Sequence, residues 1–133
     1  MKLDELKKEA LKAMNNAYAP YSNCHVGAAV LLKDGKMIGG SNIENASYPL
    51  GNCAERSCLF ATYSQGYRKE DIEEMVLVSD FVGDTRPCGA CRQVMSELLD
   101  KDCPIHMMNI DGSYTTLTIK ELLPYSFSKD DLK

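Results

Sequence analysis

Apolar residues recur every three to four positions near the start of the chain and condense into short unbroken runs further on. Leu3, Leu6, Ala10, Leu11, Met14 and Ala17 are separated by Lys and Glu. That spacing is the stripe of an amphipathic helix and predicts one over residues 2–17. Ala19-Pro20-Tyr21-Ser22 breaks it, since proline lacks the donor a helix interior needs. Val26 to Leu32 reads as a strand, Lys33-Asp34-Gly35-Lys36 as a hairpin turn, and Met37 to Ile43 as the returning strand. Residues 44–52 carry the Asn, Ser, Pro and Gly of a loop. A second helix is expected from Asn52 or Cys53 to about Gln65, stopped by Gly66. Met75 to Ser79 reads as a buried strand, Asp80 to Pro87 as a loop and Gly89 to Leu99 as a third helix. Pro104 to Asn109 is a strand, Asp111-Gly112 a turn, Tyr114 to Leu117 a strand and Ile119 to Leu123 a short helix. Pro124 to Lys133 is a polar tail holding Tyr125 and Phe127.

One hairpin followed by alternating strands and helices implies an α/β fold: a mixed sheet with helices on its faces. A length of 133 residues suits a single domain, 1–133, with one core. No internal repeat, low-complexity tract or linker interrupts it.

Charge narrows the partners. The net charge is −4 and no basic run is present, whereas a nucleic acid polymer calls for a basic face. A small neutral substrate is compatible with that balance. No apolar run approaches the ~20 residues of a membrane span, and the charged, periodic N-terminus lacks the apolar stretch of a signal peptide. A cytoplasmic location follows as the expectation, with no membrane partner. In a reducing compartment the six cysteines read as metal ligands or catalytic groups rather than disulfides. Cys24, Cys58 and Cys103 stand apart as free thiols, since Cys packs readily as a small hydrophobe.

The chemistry concentrates in Cys53-Ala54-Glu55 and Pro87-Cys88-Gly89-Ala90-Cys91. Each string sits where a loop runs into a predicted helix. Unpaired N–H groups and the helix dipole favour thiolate there. Three thiolates can hold Zn²⁺ and leave its fourth tetrahedral position open, the mark of a catalytic rather than a structural zinc. Glu55, two residues from a ligand, can move a proton of water at that position. A Cys₃ site beside a Glu that is not a ligand is the pattern of zinc nucleobase deaminases. Zn²⁺ with three thiolates carries net negative charge, so a cation should draw charge from the sulfurs. Arg56 and Arg92 are the candidates, and Arg56 is favoured because it lies one turn from Cys53. Two other readings compete: a CxxC redox pair, which leaves Cys53 without a task, and a closed structural zinc with His25 or His106 as fourth ligand.

At these residues the chain resembles the small homotetrameric cytidine deaminases. Ala19-Pro20-Tyr21-Ser22, Val26-Gly27-Ala28-Ala29, Gly40-Ser41-Asn42-Ile43-Glu44-Asn45-Ala46, Asn52-Cys53-Ala54-Glu55-Arg56, Pro87-Cys88-Gly89-Ala90-Cys91-Arg92-Gln93 and Glu121-Leu122-Leu123-Pro124 all look like that family's motifs. The resemblance covers nearly the whole length. It implies a three-layer α/β/α sandwich around a five-stranded mixed sheet. It implies zinc on Cys53, Cys88 and Cys91, with Glu55 as proton shuttle. It further implies that Asn42 and Glu44 hydrogen-bond the ribose 3′-hydroxyl and that the Ala54 backbone N–H holds the pyrimidine carbonyl. Tyr48 resembles a residue at the family's subunit interface, and Phe127 an aromatic that reaches over the base from a neighbouring subunit.

Two positions depart from the family's pattern. Cys24 stands where a Phe usually packs on the base, and Arg86 stands where a Ser is common. The expected reaction is hydrolytic deamination of cytidine and deoxycytidine in pyrimidine salvage. The alternatives are a deaminase of a related aminopyrimidine nucleoside and a non-catalytic, zinc-stabilised nucleoside-binding module.

Overall fold

The computed structural model describes residues 2–132. The first and last residues of the expected N-terminal stretch, polar tail and 1–133 domain lie outside the described residues. Among the described residues four helices and five strands follow in the order α1 (Lys2–Met14), β1 (Val26–Leu32), β2 (Met37–Ser41), α2 (Ala54–Ser64), β3 (Ile72–Ser79), α3 (Gly89–Leu98), β4 (Ile105–Met108), β5 (Tyr114–Leu117) and α4 (Ile119–Leu122). Short 3₁₀ turns fill Tyr48–Leu50, in the expected loop, Lys69–Asp71, in a stretch to which the pattern assigns no element, and Lys129–Asp131, in the expected tail.

The sheet order is β2-β1-β3-β4-β5. β1 pairs antiparallel with β2 and β3, β3 pairs parallel with β4 across the α3 crossover, and β5 returns antiparallel on β4. Side-chain alternation sorts the sheet into two dry faces. Ala28, Val30, Leu32, Met75, Leu77, Ile105 and Met107 pack with α2, α3 and α4 through Cys58, Leu59, Cys91, Met95, Ile119 and Leu122. Ala29, Leu31, Val76, Val78 and Met108 pack with Leu6 and Ala10 of α1. The result is a three-layer α/β/α sandwich around a five-stranded mixed sheet.

Several boundaries differ from the periodicity. α1 stops at Met14 rather than residue 17, since the Tyr18 N–H donates to the Asn42 carbonyl and its own carbonyl accepts from the Glu44 N–H. β2 stops at Ser41 rather than Ile43 because Asn42 and Ile43 turn to meet Tyr18 and Asn52. β3 begins three residues early, at Ile72. Leu31 faces Glu74 and Leu32 faces Ile72, so Glu73 is an extra bulged residue that lets Ile72 and Met75 share a face. β4 loses Pro104, whose nitrogen has no hydrogen to donate, and α4 ends one residue early at Leu122.

Two glycines set how closely the layers approach. A Cβ on Gly27 would press into α1, at 2.7 Å from the Met14 nitrogen. A Cβ on Gly40 would press into α2, at 2.6 Å from the Cys58 Cα. Bare backbone at Gly40 therefore seats α2, and with it the Cys53–Arg56 turn, directly on β2.

Candidate active site

α2 and α3 lie on the same face of the sheet and begin side by side. Cys53 is the N-cap residue of α2 and Cys88 the N-cap residue of α3, both in extended backbone. Cys91 follows within the first turn of α3, and its N–H donates to the Cys88 sulfur at 3.5 Å. This turn was expected to align Cys88 and Cys91 on one side, and capping by Cys88 brings the sulfurs together. Cys53 Sγ lies 3.8 Å from Cys88 Sγ, and all three sulfurs fall within 4.8 Å of one another.

That triangle fits the metal the sequence implies. With Zn–S bonds of ~2.3 Å, tetrahedral geometry places sulfurs ~3.8 Å apart. The donor set is three soft thiols, suited to zinc. Among the described residues no other His, Cys, Asp or Glu joins the group. The two histidines considered as a fourth ligand are occupied elsewhere. His25 Nδ1 pairs with Asp80 at 2.6 Å. His106 lies in β4 between Glu74, at 2.7 Å, and Thr116, at 2.8 Å. The donor set is thus three-coordinate, with room for one further ligand.

The groups around the triangle favour thiolate at Cys53. The Cys53 pKa falls to about 5, chiefly through hydrogen bonding to the Cys91 thiol, then to Arg56 and Cys88. The Cys91 thiol moves upward as the other half of that hydrogen bond. Arg56 Nη2 donates to Cys53 Sγ at 3.4 Å, and its Nε is buried with no partner among the described residues. Arg92, the other candidate, points away: its Nε donates to the Pro87 carbonyl and its Nη1 to the Leu122 carbonyl, each at 2.9 Å. It clamps the loop before α3 to the end of α4.

Glu55 is 4% exposed. Burial raises its pKa to about 7, and the Cys53 charge pushes the same way. A carboxyl poised near neutrality can both take and return a proton; a bound cation would pull that value down. Ala54 is fully buried at the first position of α2, where helix geometry leaves its N–H without an intrahelical partner.

Asn42 and Glu44 emerge from the end of β2 beside residues 21–26. Asn42 Oδ1 accepts the Val26 N–H and its Nδ2 donates to the Cys24 carbonyl, each at 2.8 Å. One N–H and one lone pair remain free on that amide. Glu44 Oε1 accepts the N–H groups of Tyr21, at 2.9 Å, and Ser22, at 3.2 Å, while Oε2 accepts the Ser22 hydroxyl. Hydrogen bonding, chiefly from Ser22, holds the Glu44 pKa below the usual carboxylate value. Tyr21, Ser22, Glu44, Asn45, Tyr48 and Gly51 line a cavity of 340 Å³.

The remaining expected residues fall in two places. Cys24 is exposed and tied by its carbonyl to Asn42. Tyr48 is 75% exposed and meets Tyr21 edge to face with ring centroids 6.0 Å apart. Phe127 does not reach this cavity within the chain. It is 57% exposed, its carbonyl accepts from Gln93, and it lines a different cavity with Ser96, Leu99 and Lys101. Arg86 is exposed. No local pattern marks Ser22 or Asp80 for a task. Ser22 lies within the Ala19-Pro20-Tyr21-Ser22 motif, but nothing near it in the chain shows that its hydroxyl meets a carboxylate 22 residues away.

An α/β/α sandwich that opens a three-thiol metal site beside a buried carboxyl defines a class, the zinc-dependent deaminases. The family model for the cytidine and deoxycytidylate deaminase zinc-binding region matches residues 1–107. A cytidine deaminase of Halalkalibacterium halodurans is 50% identical over 127 residues, spanning 96% of this chain and 95% of that protein. A cytidine deaminase of Sporosarcina psychrophila is 42% identical over 132 residues, spanning 99% and 96%. The crystal structure of cytidine deaminase from Burkholderia pseudomallei superposes with a TM-score of 0.91 at 43% identity, covering 96% of this chain and all of that one. The chain belongs to the cytidine and deoxycytidylate deaminase family. It is a hydrolytic enzyme whose cofactor is Zn²⁺. Among the described residues no helix is long and apolar enough to cross a membrane.

Proposed function

We propose that this chain deaminates cytidine and deoxycytidine to uridine and deoxyuridine, serving pyrimidine salvage as a cytoplasmic homotetramer. The observation that carries the reading is the convergence of three sulfurs, with one coordination position left over, beside the buried carboxyl of Glu55. Zn²⁺ held by Cys53, Cys88 and Cys91 supplies the Lewis acidity that makes water a nucleophile near neutral pH.

The chain's own groups do the rest. Glu55 removes a proton from the attacking water and delivers it to the ring nitrogen next to the reacting carbon; it then takes the second proton, from the hydroxyl now on that carbon, and delivers it to the amine, so that the carbon keeps the oxygen as a carbonyl. The ring C–N bond to that amine breaks and ammonia leaves. The Ala54 N–H holds the pyrimidine carbonyl, and Arg56 tempers the charge of Cys53. Asn42 and Glu44 take the 3′-hydroxyl of the sugar. A site built to pair that hydroxyl rejects ligands lacking it, because its own polar groups go unpaired.

The position of Phe127, far from the cavity of its own chain and exposed, supports its reaching a neighbouring subunit's base. The exposure of Tyr48 at the cavity rim supports its lying in a subunit interface. Cys24 favours one second reading, a preference for a related, bulkier aminopyrimidine nucleoside, because a thiol in place of a ring leaves space against the base.

The test is a spectrophotometric assay of cytidine loss on purified protein, with zinc measured on the same sample. Glu55→Gln should retain zinc and nucleoside binding while kcat falls by ~10²–10⁴-fold. A wild-type protein that holds zinc yet releases no ammonia from any pyrimidine nucleoside would instead mark a binding module.

A further inference from the structure

The segment 21–24 does more than border the sugar cavity; it holds the carboxylate that lines it. Glu44 is approached by three donors from two consecutive residues: the Tyr21 N–H, the Ser22 N–H and the Ser22 hydroxyl. Ser22 Oγ is itself fixed from behind, since it accepts the Cys24 N–H at 3.1 Å. That bond uses a lone pair and leaves the hydroxyl proton for Glu44. Asn23, between them, adopts a left-handed φ of 56°, a conformation Asn tolerates. Its N–H is tied to the Ala19 carbonyl at 3.0 Å. The turn therefore presents backbone and side-chain donors to one carboxylate. Of about four acceptor positions on a carboxylate, three are taken, so about one remains for a ligand. A carboxylate so held is ionised and cannot rotate, although the residues holding it are on the surface.

We propose that Ser22 is a positioning residue for the sugar hydroxyl: it fixes the free acceptor position of Glu44 towards the cavity. The inference rests on Glu44 being the partner of the 3′-hydroxyl. Removing the Ser22 hydroxyl frees Oε2, lets the carboxylate rotate and weakens a hydrogen bond that only 3′-hydroxylated ligands make. It leaves the reacting end of the nucleoside untouched.

The experiment compares 2′-deoxycytidine with 2′,3′-dideoxycytidine, which lacks that hydroxyl. In Ser22→Ala the KM for 2′-deoxycytidine should rise about tenfold, the loss expected of one charge-assisted hydrogen bond. Its kcat should stay within about twofold of wild type, and dideoxycytidine turnover should not change. Ser22→Thr, which keeps the hydroxyl, should restore the wild-type ratio. Ser22→Cys, nearly the same size but a poor donor, should resemble Ser22→Ala and covers the case in which the alanine variant is too unstable to assay. Equal effects on both nucleosides, or no effect on either, overturn the proposal. Glu44→Gln separates the two claims. If it abolishes discrimination between the nucleosides and Ser22→Ala leaves that discrimination at the wild-type ratio, Ser22 has no positioning role and the Glu44 reading stands. If Glu44→Gln keeps the discrimination, the reading of Glu44 fails and this inference fails with it.

Discussion

Gly40→Ala should unseat α2, which carries Cys53 at its cap and Glu55 in its first turn. The added methyl would stand 2.6 Å from the Cys58 Cα and 2.9 Å from the Ser57 carbonyl carbon. Both are backbone atoms, so no rotamer change relieves the clash. The Cys58 nitrogen is nearer still, so restoring ordinary contact, which begins near 3.4 Å, requires α2 to retreat by more than about 0.8 Å. Cys58 and Leu59, on the core face of that helix, are fully buried, so the retreat opens the core as well as straining it. Overpacking of this kind costs ~1–3 kcal/mol and occasionally more; a rigid backbone obstacle places this case near ~3 kcal/mol.

The same movement carries Cys53, Glu55 and Arg56 away from Cys88 and Cys91, which ride on α3. A misplacement approaching 1 Å can cost ~10²-fold in rate. Urea denaturation should therefore show a lower midpoint with an unchanged slope, and kcat/KM for cytidine should fall by ~10–100-fold with a lower zinc content. Gly39→Ala is the control. Its methyl meets the Ala13 side chain at 3.2 Å and no backbone atom closer than 3.5 Å, so it should shift stability by less than ~1 kcal/mol. If Gly40→Ala unfolds within ~0.5 kcal/mol of wild type and keeps its zinc and activity, close seating of α2 on β2 is not what holds the site together.

Arg92→Ala removes the donors to the Pro87 and Leu122 carbonyls and should cost ~2 kcal/mol in urea melts. Zinc affinity should suffer less than in the next variant, since Arg92 touches no sulfur. Arg56→Ala removes the donor to Cys53 Sγ and should weaken zinc retention ~10–100-fold in a chelator competition. Retention equal to wild type would refute the charge-tempering role of Arg56.

The ligand motifs were legible because metal chemistry needs particular residue types at particular spacings. Cys88 and Cys91 had to share one turn, and Glu55 had to lie next to Cys53. The central elements were legible because a buried strand must be continuously apolar, as Val26–Leu32 is, and a half-buried helix must repeat its apolar positions, as α1 does. Their ends were less so. Tyr18 leaves the helical pattern to pair with residues 42–44, and Ile72 joins β3 only because Glu73 bulges. Both depend on partners more than 20 residues away along the chain, which no local pattern contains.

Local covalent order determined which groups this protein can bring to bear: three thiols, a carboxyl, two guanidinium groups and an Asn and a Glu just past β2. Tertiary structure alone decided their assignments. It turned Arg56 to the sulfur and Arg92 to two carbonyls, and occupied both histidines elsewhere. It wrapped Ser22 around Glu44 and carried Phe127 away from the cavity. Composition and spacing are properties of neighbours in the chain, whereas hydrogen-bond partnership is set by the sheet register and by how closely the layers approach. At Gly40 that approach depends on a side chain that is not there.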